Sequence, residues 1–201
     1  MSIIKLNDRA VKDATTFGSI SSLGEMVFIS KATASASASI EFTSGIDSTY
    51  KEYVFYFHSI HPQTDNVNFT FQTDTGTNTN YNQTVTSTNF SAYNYEDNSG
   101  SSLGYNSTHD QAQGTSFEKL VTNLGNDNDQ SCSGSLQIFN PSSDTFVKHY
   151  IARTQMVSDD NRSTDRYNAG YFNTITPLTR FKFAMSSGNI DAGEILLFGI
   201  N

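Results

Sequence analysis

The sequence predicts an all-β protein, namely an antiparallel two-sheet β-sandwich of the jelly-roll type with an extended N-terminal arm. The first observation is that 27 Ser, 23 Thr and 19 Asn make up about a third of the 201 residues, whereas there are only 3 Pro. The second is that 15 Phe and 10 Tyr are too many for a disordered chain and are typical of strands. The third is an alternation of apolar and polar residues that recurs along the chain, as expected of half-buried strands.

Predicted strands follow one another with polar turns between them. A short apolar strand at 26–30 precedes a Ser/Ala ladder that leads into Ile40 and Phe42. Residues 50–60 are apolar on both faces, which predicts a central strand covered on each side. Residues 97–104 are predicted as an exposed loop, and 117–124 is the only stretch with a helical signal. The other predicted strands lie at 67–73, 84–95, 133–140, 146–156, 167–173, 178–185 and 194–200.

The domain organisation is one body with an appendage. Residues 23–201 are predicted to form the sandwich, because the strand pattern runs through them. Residues 1–22 are predicted to form a docking arm. Ile3, Ile4 and Leu6 are apolar but separate from the strand pattern, so we expect them to anchor the arm on a neighbouring molecule.

The charge balance argues against two classes of partner. Twelve Lys and Arg against twenty Asp and Glu give a formal net charge of −8. This leaves too few cations for the dense basic face that nucleic acid or an anionic membrane requires. The sequence also has no apolar stretch typical of a signal peptide or a membrane span. We therefore expect a protein made in the cytoplasm that binds neither nucleic acid nor membrane.

No arrangement of residues predicts catalysis. Cys132 is flanked by serines, and no candidate general base stands at a spacing that would indicate a catalytic pair. We expect Cys132 to be a buried free thiol. Two acidic turns are candidate calcium sites, because clustered carboxylate and amide oxygens suit that ion. They are 126–129 and 159–161 with Asp165. Neither turn has the spacing of a known calcium loop. Calcium apart, the sequence predicts no cofactor, no metal site and no catalytic residue.

Three segments carry a resemblance to a known class of proteins. The C-terminal FKFAMSSGNIDAGEILLFGI (181–200) resembles a recurring ending of virion proteins of tailed phages, particularly marine and cyanobacterial ones. The N-terminal stretch that begins IIKLNDRAVKDATTF and the internal NPSSDTFVKHYIART (140–154) resemble the same proteins. The resemblance implies a structural component on the surface of a phage particle, made in the host cytoplasm and released by lysis. It assigns no catalytic residues.

Three hypotheses about function follow. The first is a non-enzymatic virion protein, with capsid decoration favoured over a tail-fibre or receptor-binding head. Its partners would be other virion proteins and copies of itself, with a trimer as the expected closed form. The second is a lectin-like module that holds host surface glycan through polar loops carrying Tyr81, Tyr93, Tyr95 and Tyr105. The third is a polysaccharide depolymerase, for which the carboxylates to test are Glu96, Asp97, Asp159 and Asp160.

Overall fold

The computed structural model describes residues 26–200, which form antiparallel strands without any helix. The predicted docking arm, with Ile3, Ile4 and Leu6, lies outside the described residues. No helix able to span a membrane occurs between residues 26 and 200. The strands are β1 (Met26–Thr33), β2 (Ile40–Phe42), β3 (Glu52–Pro62), β4 (Val67–Thr75), β5 (Val85–Tyr95), β6 (Ser101–Tyr105), β7 (Glu118–Leu124), β8 (Cys132–Phe139), β9 (Lys148–Val157), β10 (Arg162–Phe172), β11 (Leu178–Met185) and β12 (Ile190–Ile200).

The strands form two sheets that pack face to face. The wide sheet has the order β1-β12-β3-β8-β9-β10-β5-β6, and the narrow sheet has the order β2-β11-β4-β7. The group β1-β12-β3-β8 and the narrow sheet are the two halves of a jelly roll, because the chain crosses between the sheets at every step through these eight strands except from β4 to β7. The hairpins β9–β10 and β5–β6 then lengthen the wide sheet at one edge, and we call these four strands the extension. The predicted sandwich of the jelly-roll type is confirmed.

An aromatic core joins the two halves of the jelly roll. Phe55 of β3 lies with its ring centre 5.1 Å from that of Phe183 on β11, and Phe57 lies 5.3 Å from Phe69 on β4. All four rings are fully buried. β3 lies between β12 and β8, and Val54 on its other face is also buried. The expected central strand is therefore confirmed, with bounds of 52–62 instead of 50–60. The expected cover on each side is only partly met, because Tyr56 is half-buried and His58 is exposed on the outer face.

Two local predictions are wrong. Residues 117–124 do not form a helical turn, because they hold β7, which pairs with β4 at the edge of the narrow sheet. β7 buries Glu118 and Thr122 along with its apolar residues, which hides the alternation of a strand. Part of the predicted loop at 97–104 belongs to β6, a short edge strand that is exposed along its whole length and pairs with β5.

Candidate functional site

The inner face of the extension is polar, in contrast to the aromatic core beside it. Register pairs Asn89 with Asn168 and Ser91 with Arg166 across β5 and β10, and all four are buried. The chain that follows β6 runs beside β5, where the Asn106 amide donates to the Asn89 carbonyl at 2.8 Å. Residues 106–114 thus help to cover the extension where the narrow sheet ends.

A cavity of about 100 Å³ lies in this polar layer and is partly open to solvent. It is bounded by β5, β7, β9, β10 and the segment that follows β6. We call it the arginine pocket, because two guanidinium groups line it. Its polar lining includes Arg162, Arg166, His109, Thr122, Thr164 and Asn106.

Arg166 is the most unusual residue of the arginine pocket, because its side chain is 4% exposed and forms no ion pair with any residue between 26 and 200. Its Nη1 donates to Asn89 Oδ1 at 2.9 Å and to His109 Nδ1 at 3.0 Å, and its Nη2 donates to Thr122 Oγ1. Its Nε finds no acceptor among residues 26–200. Burial, and then the nearby charge of Arg162, lower the pKa of Arg166 to about 10.

Arg162 enters the pocket from the start of β10 and is held from two sides. Its Nε donates to Asp160 Oδ1 at 2.7 Å. Its guanidinium carbon lies 5.0 Å from the ring centre of Tyr93 and 5.4 Å from that of Tyr95, a cation–π arrangement. These contacts fix the orientation of the guanidinium group, whose charge Asp160 already balances.

His109 is a neutral member of the pocket. Arginine only donates hydrogen bonds, so His109 Nδ1 accepts from Arg166 and the ring proton lies on Nε2. Burial, followed by the charges of Arg166 and Lys119, lowers the pKa of His109 to about 4. At neutral pH the imidazole therefore adds no positive charge, and the charge of Arg166 is left without a counter-charge among residues 26–200.

The four tyrosines predicted from sequence do not form one surface. Tyr93 and Tyr95 flank Arg162 at the arginine pocket. Tyr105 is exposed on β6 and donates to Asp110 Oδ2. Tyr81 is buried, with its hydroxyl 2.8 Å from Glu41 Oε2, and so takes no part in a surface loop. Sequence reasoning missed both arginines and His109. The alternation from Arg162 through Thr164 and Arg166 to Asn168 would place the two arginines on one face of a strand.

The outer face of the wide sheet exposes two groups of apolar side chains with a polar region between them. Tyr56 and Phe28 both contact Phe198 edge to face, at ring-centre distances of 5.8 and 5.6 Å. In the extension, Phe90 stacks on Tyr167 at 4.8 Å. Between the two groups lies a shallow depression of about 490 Å³, lined in part by His58, Ser133, Ser135 and the Arg153–Asp165 ion pair. The exposed apolar and aromatic side chains of this face are Met26, Phe28, Phe90, Leu103, Tyr105 and Ile151.

The carboxylates predicted as calcium ligands or as catalytic groups for sugar cleavage take part in separate contacts. Asp160 pairs with Arg162, and Asp165 pairs with Arg153 at 2.8 Å. Burial, and then the charges of Asp160 and Asp65, raise the pKa of Asp159. Cys132 is buried, and that burial raises the pKa of its thiol. Residues 26–200 contain no group of three or more His, Cys, Asp or Glu side chains placed to hold a metal ion.

Comparison with protein families, with curated proteins and with solved structures gave no match for this chain.

The low pKa of His109 predicts a loss of stability in mild acid. The unfolded chain takes up a proton below about pH 6.5 and the folded protein only near pH 4, so the free energy of unfolding falls as pH drops through that window. We expect a loss of about 1–2 kcal/mol, after allowing for solvent screening of a half-buried group. Urea unfolding at pH 4.5 and 7 measures it.

His109→Asn is the matched variant, because an amide oxygen can replace Nδ1 as acceptor but does not titrate. The variant should lose less stability between the two pH values than the parent chain. The buried carboxyl of Glu118, whose pKa burial raises, acts with the opposite sign and is common to both proteins. Equal losses in the two proteins would show that His109 is not responsible.

Proposed function

We propose that the chain is a non-enzymatic structural protein on the surface of a phage particle, with capsid decoration as its principal role. The observation that carries the proposal is the presence of exposed aromatic side chains on the outer face of the wide sheet, in one group around Phe28 and another around Phe90. A face of this kind is unusual on a monomer and typical of a contact surface. The resemblance of the chain's two ends to phage virion proteins supports the same assignment.

The partner on the outer face is a second copy of this chain. The face carries both signs of charge, in the Arg153–Asp165 and Lys31–Glu194 ion pairs. It therefore does not require a partner whose surface is mainly positive or mainly negative. Its polar centre, with apolar groups on either side, can repeat across a symmetric interface. The pairs and the stacked rings are in place before association, which limits the entropy lost on binding.

The copy number of the chain in purified particles tests the proposed role. Quantitative mass spectrometry against the major capsid protein would give hundreds of copies for a decoration protein. A few to a few dozen copies would place it on the tail, a vertex or a fibre and would contradict the decoration role. Absence from the particle would contradict the proposal as a whole.

Phe90→Asp is expected to weaken self-association by about 30-fold, because it puts a charge into the apolar contact and removes the stack on Tyr167. Light scattering during size-exclusion chromatography measures the oligomeric state across a concentration series. Phe146→Asp is the matched control, since Phe146 is exposed in the loop between β8 and β9. A monomeric parent chain, or equal effects of the two changes, would contradict self-association through the outer face.

A second function, glycan binding by an attachment protein, is favoured by the arginine pocket. The pocket combines hydroxyl and amide groups with Tyr93 at a partly open mouth. Such a combination suits a hydroxylated ligand. This function would need no catalytic residue and is compatible with a place on the particle surface.

A further inference from the structure

From its two guanidinium groups and its missing counter-charge, we infer that the arginine pocket binds the carboxylate of an acidic sugar. The inference deepens the glycan-binding function and rests on it only for the nature of the ligand. It does not depend on whether the chain decorates a capsid.

The charge balance of the pocket calls for an anion with a single charge. Arg162 is already paired with Asp160, His109 is neutral, and Arg166 is buried with no carboxylate partner among residues 26–200. A buried guanidinium without a counter-charge is costly, and a bound anion would offset that cost. One uncompensated positive charge matches a carboxylate better than a doubly charged phosphate.

The hydrogen bonds of Arg166 also favour a bound anion. Its Nη1 and Nη2 are engaged by uncharged acceptors, and its buried Nε has no acceptor in the described part of the chain, 26–200. Nearly all buried polar groups in proteins have a partner, so the orphan Nε shows that the surrounding residues do not fully satisfy the Arg166 guanidinium. Guanidinium groups bind carboxylates with particular strength, through charged hydrogen bonds of fixed geometry.

The size of the pocket limits how much of the ligand it encloses. At about 100 Å³ it is far below the roughly 300–1,000 Å³ of sites that enclose a whole small molecule. It therefore takes the carboxylate and leaves the sugar ring at the mouth. Asn106 and Tyr93, which also line the pocket and are half-buried, offer the ring an amide group and an aromatic side chain.

Isothermal titration calorimetry of the full chain tests the inference, with sodium glucuronate as the probe. Glucose supplies the same ring without the carboxylate, acetate the carboxylate without the ring, and inorganic phosphate a different anion. We expect saturable binding of one glucuronate per chain, with the other three probes at least about ten-fold weaker. Absence of glucuronate binding, or binding of glucose as tight as glucuronate, would overturn the site. Acetate or phosphate binding as tightly as glucuronate would overturn the assignment to an acidic sugar.

Arg162→Gln and Arg153→Gln form a matched pair. Each arginine is paired with an aspartate and lies over a tyrosine, but only Arg162 lines the pocket. Arg162→Gln should weaken glucuronate binding at least about ten-fold, and Arg153→Gln should leave it within about two-fold. Thermal unfolding of both variants checks that they fold. Equal effects on binding in folded variants would overturn the assignment of the pocket. The copy number per particle is measured separately, so failure here leaves the structural role standing.

Discussion

Phe183→Ala is expected to lower the free energy of unfolding by about 3–5 kcal/mol, the range for removing a large aromatic ring from a packed core. Phe183 is fully buried on β11 in the narrow sheet. Its neighbours are large, and all except Phe42 on the edge strand β2 lie on strands that are paired on both sides, so the surrounding residues cannot fully close the cavity. The rings around it, with centre distances of 5.1–6.3 Å, belong to Phe42, Phe55, Phe57, Phe69 and Phe71.

Equilibrium unfolding in urea measures this loss, and Phe146→Ala is the control. Phe146 is 68% exposed, so its removal should change the free energy of unfolding by less than about 0.5 kcal/mol. A loss near 1 kcal/mol for Phe183→Ala would show that the core around it repacks. The two sheets would then be held together mainly elsewhere.

The strands that pack this core are those that the sequence predicted best. In β4, Val67, Phe69 and Phe71 alternate with polar residues, and all three are buried. β3 is apolar on both faces and was expected at the centre of a sheet, where it lies. In β4 the alternation identifies the face that packs in the core, whereas in β3 the continuous apolar run identifies the central strand.

Strands whose inward positions are not marked by large apolar side chains escaped prediction for a physical reason. β7 turns Glu118 inward, where Ser87 and Asn168 donate to the carboxylate at 3.0 and 2.9 Å. β6 buries nothing and is held as a strand by its pairing with β5. These partners of Glu118 are distant in sequence, so no local pattern contains them. The partner of β6 is adjacent in a hairpin, but a strand that is exposed along its whole length has no alternation of apolar and polar residues to mark it.

The arginine pocket escaped prediction in the same way. The strand that carries it, β10, begins with the polar run RSTDRYN, in which nothing distinguishes an inward arginine from an outward one. The partners of Arg166 come from β5, from β7 and from the segment after β6. Tyr93 and Tyr95 could be singled out from the sequence, because aromatic residues in a polar stretch stand out, and both lie beside Arg162. The arginine beside them could not, since its place depends on strand register.

Gly134→Val is expected to lower the free energy of unfolding by about 3 kcal/mol, the upper end of the range for overpacking a core. Gly134 lies on β8, where a Cβ atom would be 2.7 Å from Thr154 Cα and in conflict with the Arg153 carbonyl on β9. These are backbone atoms of a paired strand and cannot rotate away. β9 would have to move, and with it the Thr154 hydroxyl, which donates to the Leu120 carbonyl at 2.7 Å and ties the wide sheet to β7.

Gly104→Val is the matched change on the edge strand β6, where a Cβ atom would have no neighbour within 4 Å. It should leave stability unchanged or raise it by up to about 1 kcal/mol, because valine favours the extended backbone that glycine does not hold. Urea unfolding of both variants, beside the parent chain, separates the clash from the general effect of replacing glycine. If Gly134→Val proved as harmless as Gly104→Val, the spacing of β8 and β9 would be adjustable. The extension would then be a flexible addition to the jelly roll, and the fixed geometry on which the arginine pocket depends would be lost.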